Sequence, residues 1–303
     1  MDAQEFYDGL GEDYDRMVSW GTRLQREEVF FEQLFAGAGT RSVLDAACGT
    51  GMHVISFARR GLRCVGADLS PAMIAQARLN AGRAGVRVEL DAFGFGKLAA
   101  AFSGRGVPFD AVTCLGNSLP HLLDDASLAE CLSDFAELLS PGGILVIQNR
   151  NYDRLLRERQ RFMPVSARTD AEGETLFLRI TDFRGQEAGP GPAAGPATGY
   201  AAGEAVDFTI VTLRKRGGAW TQSVKTTPLR ALRRSTLETC IREAGFSVVD
   251  VYGSYRREPY DSPGAPDLVV VARKQAPRKP TRPRADASAP LDPLLGEDLS
   301  PVD

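Results

Sequence analysis

The sequence predicts an α/β protein with a doubly wound, mostly parallel seven-stranded sheet and a small antiparallel β lid inserted after the fifth strand. Three observations predict this fold class. Between about residues 40 and 148, short β-branched runs alternate with helical stretches, which is typical of a parallel sheet covered by helices. A further helical stretch and two β-branched runs follow within residues 235–272. The intervening segment, 165–232, contains runs of alternating polarity, as half-exposed strands do.

The elements of the main sheet are predicted in order along the chain. The strands are Ser42–Ala46, Arg63–Asp68, Val86–Asp91, Ala111–Leu115 and Ile144–Gln148, followed by a hairpin of Ser247–Tyr252 and Asp267–Ala272. The helices are Met52–Arg60, Pro71–Ala84, Leu128–Leu139 and a last one from Ser235 to about Ala244. A doubly wound sheet of this kind binds its ligand beyond the carboxyl ends of its strands.

Two of these helices have clear terminal signals. Ser70 can cap free amide groups, Pro71 suits the first helical position, and Gly85 follows the end of that helix. In the last helix, Ser235 and Glu238 have the spacing of a capping box. Gly245 then predicts where this helix ends.

The rest of the chain divides around this sheet. Residues 1–38 are predicted to form a helical cap, since aromatic and aliphatic residues recur there at helical spacing. Residues 39–164 and 233–273 form the ligand-binding α/β domain, and 165–232 form the lid. The lid strands are predicted at Leu176–Phe183, Ala205–Lys215 and Trp220–Thr226, with a flexible loop at 185–203 because nine of its nineteen residues are Gly or Pro. The composition of residues 274–303 predicts a disordered tail.

Composition and charge exclude several classes of partner. The 36 Lys and Arg residues against 39 Asp and Glu residues leave no basic excess for a nucleic acid backbone. Five scattered cysteines without a CxxC pair, and only two histidines, predict reduced thiols in a cytoplasmic protein and no metal site. No stretch approaches the ~20 apolar residues that cross a membrane. We therefore expect a small-molecule ligand.

The segment VLDAACGTG, residues 43–51, is a buried strand that leads into a glycine-rich turn and then a helix. Gly49 and Gly51 lack a Cβ, so a ligand can approach the backbone there, although many such turns are merely structural. A dinucleotide fingerprint needs a third glycine where this chain has Val54, which disfavours nicotinamide cofactors. The absence of a GxxxxGK[ST] loop argues against a nucleoside triphosphate.

Acidic residues end the next two strands. Asp68, which is 17 residues past Gly51, can accept hydrogen bonds from both ribose hydroxyls of an adenosine, or it can simply be an acid at the start of the helix after Ser70. Asp91 can accept from an adenine amine, and Phe93 can stack nearby, although each residue could be incidental. Together with Asp45, Gly49 and Gly51, these acids predict a site for adenosine with a non-phosphate tail.

The VLDAACGTG motif and Asp68 resemble the first motif and the ribose-binding acid of the class I S-adenosylmethionine-dependent methyltransferases, a Rossmann-like family whose sheet ends in an antiparallel hairpin. The resemblance covers roughly residues 40–150 and 235–273. It implies S-adenosyl-L-methionine as cofactor. The cofactor-binding residues that it implies are Asp45, Ala47, Gly49, Gly51, Asp68, Leu69, Met73, Asp91, Ala92, Phe93, Leu115 and Gly116.

Two further segments, CLGNSLPHL at 114–122 and NRNYD at 149–153, resemble those of the glycine and glycine/sarcosine N-methyltransferases. The resemblance implies that Asn117 faces the substrate amine and that Arg150 binds the substrate carboxylate. A guanidinium at the end of a strand is indeed a bidentate carboxylate receptor. The alternatives are a salt bridge from Arg150 to Asp153 or another lid acid, and a turn-capping role for Asn117.

Several other residues are candidates around this site. His121 is either a general base or, as we favour, a hydrogen-bonded structural residue. That family closes an N-terminal tyrosine over its substrate, and Tyr7, Tyr14 and Trp20 are candidates, of which we select Tyr14 as catalytic. Arg23 or Arg26 could bind the carboxylate of the cofactor, but a solvated helix face is the expectation for both.

The sequence thus predicts an S-adenosylmethionine-dependent methyltransferase of a small molecule with a carboxylate, such as an N-methyltransferase of glycine or sarcosine. One alternative is an O-methyltransferase, which would use His121 or Asp182 as a base. Another is a non-catalytic sensor of S-adenosylmethionine, because a fold alone does not decide between binding and catalysis.

Overall fold

The computed structural model describes residues 1–11, 13–105, 108–171, 173–184 and 205–275. Its main sheet has seven strands in the order β10-β11-β5-β4-β1-β2-β3. These strands are β1 Ser42–Asp45, β2 Arg63–Asp68, β3 Glu89–Ala92, β4 Phe109–Cys114, β5 Leu139–Arg150, β10 Phe246–Tyr252 and β11 Asp267–Lys274. Strands β1 to β5 pair in parallel, and β11 pairs antiparallel with both β5 and β10. The predicted fold class is confirmed.

Helices cover both faces of this sheet. They are α1 Ala3–Asp8, α2 Asp13–Met17, α3 Trp20–Ala38, α4 Met52–Arg59, α5 Pro71–Ala84, α6 Leu98–Phe102, α7 Asp125–Leu138, α8 Tyr152–Glu158 and α9 Arg234–Glu243. One apolar core contains side chains of α6, α7 and α9, and the other contains side chains of α3, α4 and α5. The sheet is therefore the middle of three layers, and its strand ends stay free for a site. None of the helices within the described residues is both long and apolar enough to cross a membrane.

The lid is a separate four-stranded antiparallel sheet in the order β6-β7-β8-β9. Its strands are β6 Ser166–Asp170, β7 Gly173–Phe183, β8 Ala205–Arg216 and β9 Ala219–Arg230. One face of this sheet packs on the N-terminal helices, because Phe177 and Ile210 share an apolar cluster with Phe6, Leu10 and Met17. The segment of α1 and α2 thus lies between the lid and the main sheet, whereas α3 packs on a face of the main sheet with α4 and α5.

Several details differ from the predictions. The helix α9 begins one residue earlier than expected, so Ser235 lies inside it and forms no capping box. Glu238 instead accepts hydrogen bonds from the guanidinium groups of Arg234 and Arg242, one turn away on either side. Strand β6 was not predicted, because its SARTD sequence is polar and lacks alternation. Lys274, which we assigned to the tail, ends β11. The predicted loop 185–203 and the tail from residue 276 lie outside the described residues.

Candidate functional site

The turn between β1 and α4 uses its two glycines for different purposes. Both have positive φ angles, 53° at Gly49 and 79° at Gly51, which favour glycine. A Cβ on Gly51 would lie 2.9 Å from the Cβ of Ala77, so this glycine lets α4 begin close against α5. Gly49 faces a cavity, where a Cβ would lie 3.8 Å from the ring of Tyr14.

Asp68 ends β2 beside this turn, and backbone amides fix its carboxylate. The amide of Gly49 donates to Oδ2 at 2.8 Å, and the amide of Ser70 donates to Oδ1 at 2.9 Å. A carboxylate has about four acceptor positions, so it retains capacity for further donors from the cavity. Burial raises the pKa of Asp68 to about 6, although these amides favour its ionised form.

Asp45 at the end of β1 is buried below the turn and is not among the residues lining the cavity. Its Oδ1 accepts a hydrogen bond from the Thr113 hydroxyl at 3.1 Å, and its carboxylate also accepts from the amide of Ala47. Burial raises its pKa. Because these bonds hold the backbone at Ala47, Asp45 is placed to shape the turn from beneath.

The first cavity has a volume of about 250 Å³ and lies at the carboxyl ends of β1, β2 and β4. Of the residues that the sequence singled out, it brings together Tyr14, Ala47, Gly49, Asp68, Leu69, Met73, Leu115, Gly116 and His121. Sequence reasoning missed the segment after β3, from which Gly94, Phe95 and Lys97 also line the cavity. The glycines in this segment were the available signal.

The three predicted cofactor-binding residues at the end of β3 are not among those that line the first cavity. Asp91 forms an ion pair with Arg105, with Nη1 2.8 Å from Oδ2. The ring of Phe93 packs 6.0 Å from that of Phe102 at the edge of the core, and Ala92 ends the strand on the exposed side. The adenine role of Asp91 stays a prediction, and Phe95, not Phe93, lines the first cavity.

The N-terminal helices roof the cavity and are fixed to the main domain by acidic side chains. Asp15 accepts hydrogen bonds from Trp20 Nε1 at 2.8 Å, from Asn80 Nδ2 at 2.8 Å and from the Thr50 hydroxyl. Asp8 accepts from the hydroxyl of Ser70. These bonds bring all three aromatic candidates, Tyr7, Tyr14 and Trp20, to the wall of the first cavity.

A second cavity of about 540 Å³ adjoins the first and lies between the main sheet, the roof and the lid. The two cavities share a set of lining residues, namely Tyr7, Tyr14, Arg23, Gly116 and His121. Asn117 and Arg150 line only the second cavity of the two. Ligands in the two cavities would therefore meet beside the shared residues.

Asn117 connects the ends of β4 and β5. It has a φ of 67°, a conformation that Asn tolerates better than most residues. Its Oδ1 accepts from the backbone amide of Arg150 at 2.9 Å, and its Nδ2 donates to the Tyr152 hydroxyl at 3.1 Å. Its own amide donates to the carbonyl of Gln148 at 3.1 Å. The side chain of Asn117 therefore does not act as a turn cap, which was the predicted alternative. It connects the two strand ends and positions Arg150.

Arg150 ends β5 with its guanidinium in the second cavity. Its Nη1 lies 3.4 Å from the Thr181 hydroxyl, and no carboxylate of the described residues is within ion-pair distance. Asp153, the alternative partner, accepts instead from the Tyr260 hydroxyl at 2.9 Å. Burial lowers the pKa of Arg150, so this cation is held in a partly desolvated place. Such a guanidinium is prepared for an anionic ligand.

His121 lies between the two cavities, and its Nε2 is 3.1 Å from the hydroxyl of Tyr7. Burial lowers the pKa of His121 to about 4, so the ring is neutral at neutral pH. Burial raises the pKa of Tyr7 well above its ordinary value, so the hydroxyl keeps its proton. One ring nitrogen is thus hydrogen-bonded, whereas the buried Nδ1 has no partner among the described residues, and the structural role that we favoured stays a prediction.

Arg23 differs from the solvated residue that the sequence predicted. It lines both cavities, its guanidinium lies 5.1 Å above the Trp20 ring, and its Nε donates to Glu27 at 2.8 Å. Glu27 also lies 2.5 Å from Nε2 of His53. Burial opposes the charge of Arg23, but the Glu27 carboxylate raises its pKa. Arg23 is therefore a fixed cation at the junction of the cavities and not part of a solvated helix face. Arg26 is exposed, as expected, and also lines the second cavity.

The strand order, the glycine turn and the acid after β2 together define a Rossmann-like methyltransferase fold. A protein-family model described as a methyltransferase domain matches residues 43–143. The CcbJ methyltransferase from Streptomyces caelestis superposes with a TM-score of 0.69 at 21% identity, over 91% of this chain and 100% of that one. The chain therefore contains a methyltransferase domain with this fold.

The names of the curated relatives specify a substrate, which the family model does not. A glycine/sarcosine N-methyltransferase of Parasynechococcus marenigrum (strain WH8102) is 38% identical over 153 residues, which are 50% of this chain and 53% of that protein. A glycine/sarcosine/dimethylglycine N-methyltransferase of Actinopolyspora halophila is 33% identical over 276 residues, or 89% of this chain and 42% of that protein. The chain spans about half the length of the curated relatives that it matches.

Proposed function

We propose that the protein is an S-adenosylmethionine-dependent N-methyltransferase of a small amino acid such as glycine or sarcosine. The observation that carries this proposal is Arg150, a guanidinium without a carboxylate partner among the described residues, in a cavity that adjoins the methyltransferase turn. A planar guanidinium binds a carboxylate by two parallel hydrogen bonds. The names of the curated relatives agree with this substrate class.

The first cavity fits S-adenosylmethionine by its set of donors and acceptors. The spare acceptor positions of Asp68 suit ribose hydroxyls, and the ring of Phe95 with Leu69 and Leu122 offers an apolar wall to an adenine. Arg23, at the junction with the second cavity, suits the carboxylate of the methionine part. When bound, this cofactor supplies a methyl group on a positively charged sulfur.

Other predicted cofactor-binding residues would contribute accessible backbone and apolar surface. Gly49 in the first cavity and Gly116 at the junction have positive φ angles and present backbone without a side chain. The amide of Gly116 donates to the side-chain oxygen of Gln148 at 2.8 Å, which fixes the loop after β4. Ala47, Met73 and Leu115 close the apolar sides of the cavity. These apolar sides would limit the access of water to the place where the methyl group would be transferred.

The chain's role toward the acceptor is to align an amine. Arg150 would hold the acceptor carboxylate, and Asn117 would keep Arg150 in place through its backbone amide. The Oδ1 of Asn117 has a second lone pair that remains available to an amine proton. Tyr14 and Tyr7 close the junction from above. A neutral amine needs alignment rather than a strong base to attack the methyl group.

The candidate bases are poorly suited to O-methylation. His121 is a weak proton acceptor, because burial lowers its pKa to about 4. Asp182 forms an ion pair with Arg161 at 2.5 Å on the lid and is not among the residues lining either cavity. A sensor that binds S-adenosylmethionine alone would have no use for the second cavity and its guanidinium. These observations favour amine methylation.

A product assay tests the proposal. The pure protein is incubated with methyl-labelled S-adenosylmethionine and, in separate reactions, with glycine, sarcosine, simple amines without a carboxylate, and phenols. We expect label in N-methylated amino acids, little in the simple amines and none in the phenols. Label that appears mainly in phenols would establish the O-methyltransferase instead, and tight cofactor binding without any labelled product would favour the sensor.

A further inference from the structure

A second arginine, Arg179, faces the second cavity from the lid. Every second side chain of β7 lies on the same face of the small sheet, and one such set is Phe177, Arg179 and Thr181. Phe177 on this face is buried in the cluster with the N-terminal helices, and the hydroxyl of Thr181 lies 3.4 Å from Arg150. Arg179 lies between them and lines the cavity. The lid therefore brings a cation toward the same space as Arg150.

The contacts of Arg179 leave its charge uncompensated by the described residues. Its Nη2 donates to the carbonyl of Pro164 and to the hydroxyl of Ser166, both at 3.2 Å and both neutral. Its Nε is buried and has no hydrogen-bond partner among the described residues. Its cross-strand neighbour is the apolar Ile210. A buried donor without an acceptor is unfavourable, and a ligand oxygen would correct this.

The two acids in the wall of this cavity have other partners. Glu27 is bonded to Arg23 and His53, and Asp267 accepts from the side-chain amide of Gln148 at 2.9 Å. Burial, and then the positive charge of Arg150, lower the pKa of Arg179. The cavity thus has a cationic excess that a single small carboxylate would satisfy only in part.

We infer that the acceptor has a second acidic group, which Arg179 holds while Arg150 holds the carboxylate of the amino acid. The acceptor that fits both guanidiniums is therefore an amino acid with a carboxylate or phosphate on its side chain, whereas glycine would be held by Arg150 alone. Room for it exists, since the second cavity has a volume of about 540 Å³, against the ~10–15 Å³ that is enough to hold one water. This inference rests on the proposed function and names its substrate class.

The chemistry of the lid explains how such an acceptor would be selected. An acid and its amide have nearly the same shape, so they differ mainly in whether they neutralise Arg179. An amide ligand would leave the desolvated guanidinium of Arg179 without a counter-charge, which lowers the affinity for the amide. The ion pair with Arg179 raises the affinity for the acid, so both effects contribute to specificity. Specificity for the acidic side chain would then depend on Arg179 and not on Arg150.

The test compares acids with their amides at equilibrium. Calorimetry measures the binding of glutamate, glutamine, aspartate, asparagine, O-phosphoserine, serine and glycine to the full chain in the presence of S-adenosylhomocysteine. For the parent we expect at least one acidic ligand to bind at least ~10-fold more tightly than its uncharged counterpart, on the scale of one charge-assisted hydrogen bond. The phosphate and carboxylate arms identify which acid the lid prefers.

The variants separate the two arginines. Arg179→Gln is expected to remove the preference for acid over amide while glycine binding and S-adenosylhomocysteine affinity stay within ~2-fold of the parent. The matched control is Arg168→Gln, because Arg168 is a cation of the same sheet that bonds Ser19 and is not among the residues lining the cavity. Arg168→Gln should keep the full preference. The values of kcat/KM for the same acceptors should follow the binding order.

Two results would overturn the inference. Equal affinities for acid and amide in the parent would show that no second acidic group is bound. An equal loss of glycine and glutamate binding in Arg179→Gln would place both guanidiniums on one carboxylate. Either result, together with Arg150-dependent methylation of glycine, leaves the proposed function intact. If no acceptor is methylated, the proposed function fails, and the binding measurements still decide for or against the second acidic group.

Discussion

The first cavity is built by consecutive elements of the main sheet, whereas the second is assembled from distant parts of the chain. The carboxylate of Asp68 is fixed by the backbone amides of Gly49 and Ser70, which lie in the turns next to β1 and β2. Arg150 depends instead on the side chains of Asn117 and Thr181, from a loop and from the lid. The cofactor end is thus encoded locally, and the acceptor end requires long-range packing.

The largest expected effect is at the cofactor end, in the first cavity. Asp68→Ala should weaken the binding of S-adenosylmethionine and of its demethylated product by at least ~100-fold, because it removes two charge-assisted hydrogen bonds of ~1.5–3 kcal/mol each. Calorimetry measures both affinities. The matched control is Asp125→Ala, since Asp125 forms an exposed ion pair with Arg230, is not among the residues lining either cavity and is expected to change the affinity by less than ~3-fold. A folded Asp68→Ala protein that binds like the parent would refute the ribose role.

A smaller effect is expected at the acceptor end, in the second cavity. Asn117→Ala removes the acceptor for the Arg150 amide and places Ala at a positive φ, so we expect kcat/KM for the amino acid to fall by ~10-fold while cofactor affinity is retained. Asn117→Gly is the control for backbone strain, since glycine adopts this conformation freely. If both variants lose cofactor affinity and acceptor efficiency alike, the two ends are not independent.

The pH dependence distinguishes alignment from base catalysis. If the acceptor is an amine, the rate should rise through alkaline pH as the fraction of neutral amine grows. His121, whose pKa burial lowers to about 4, is already deprotonated throughout that range and should contribute no step to the profile. His121→Ala should therefore keep the alkaline rise, with a rate within several-fold of the parent. Loss of the rise, with cofactor affinity intact, would argue for a base and for the O-methyltransferase.

The smallest effect is expected from the C-terminal segment. Deletion of residues 276–303 should leave cofactor affinity, turnover and the melting temperature nearly unchanged, because this segment has no aromatic residue and nearly balanced charge. The cut follows Gln275, whose amide donates to the carbonyl of Gly245 at 3.1 Å. Differential scanning calorimetry and a turnover assay check the outcome. A loss of several degrees would mean that the segment contributes to the packed core.

The same contrast explains what could be predicted from the sequence. Periodicity, Gly49 and Asp68 are local signals, and they were sufficient for the main sheet and for the part of the first cavity beside β1 and β2, but not for the segment after β3. Arg150 was identified only through the NRNYD segment that surrounds it. Arg179 could not be identified, because nothing in the sequence of β7 says which face of the lid meets the main domain. The predicted capping box at Ser235 was wrong for a related reason. The Glu238 side chain forms ion pairs with Arg234 and Arg242 instead of capping the start of the helix.

The most direct test of the account compares glycine with glycinamide, in the parent and in Arg150→Lys. Lysine keeps the charge but loses the planar two-point contact, so the variant tests the geometry at the end of β5 rather than the charge alone. We expect kcat/KM of the parent to favour glycine strongly over glycinamide, and Arg150→Lys to lower the value for glycine by at least ~10-fold with cofactor binding unchanged. A parent enzyme that methylates both equally well, or a variant that leaves glycine unaffected, would contradict a carboxylate receptor at Arg150.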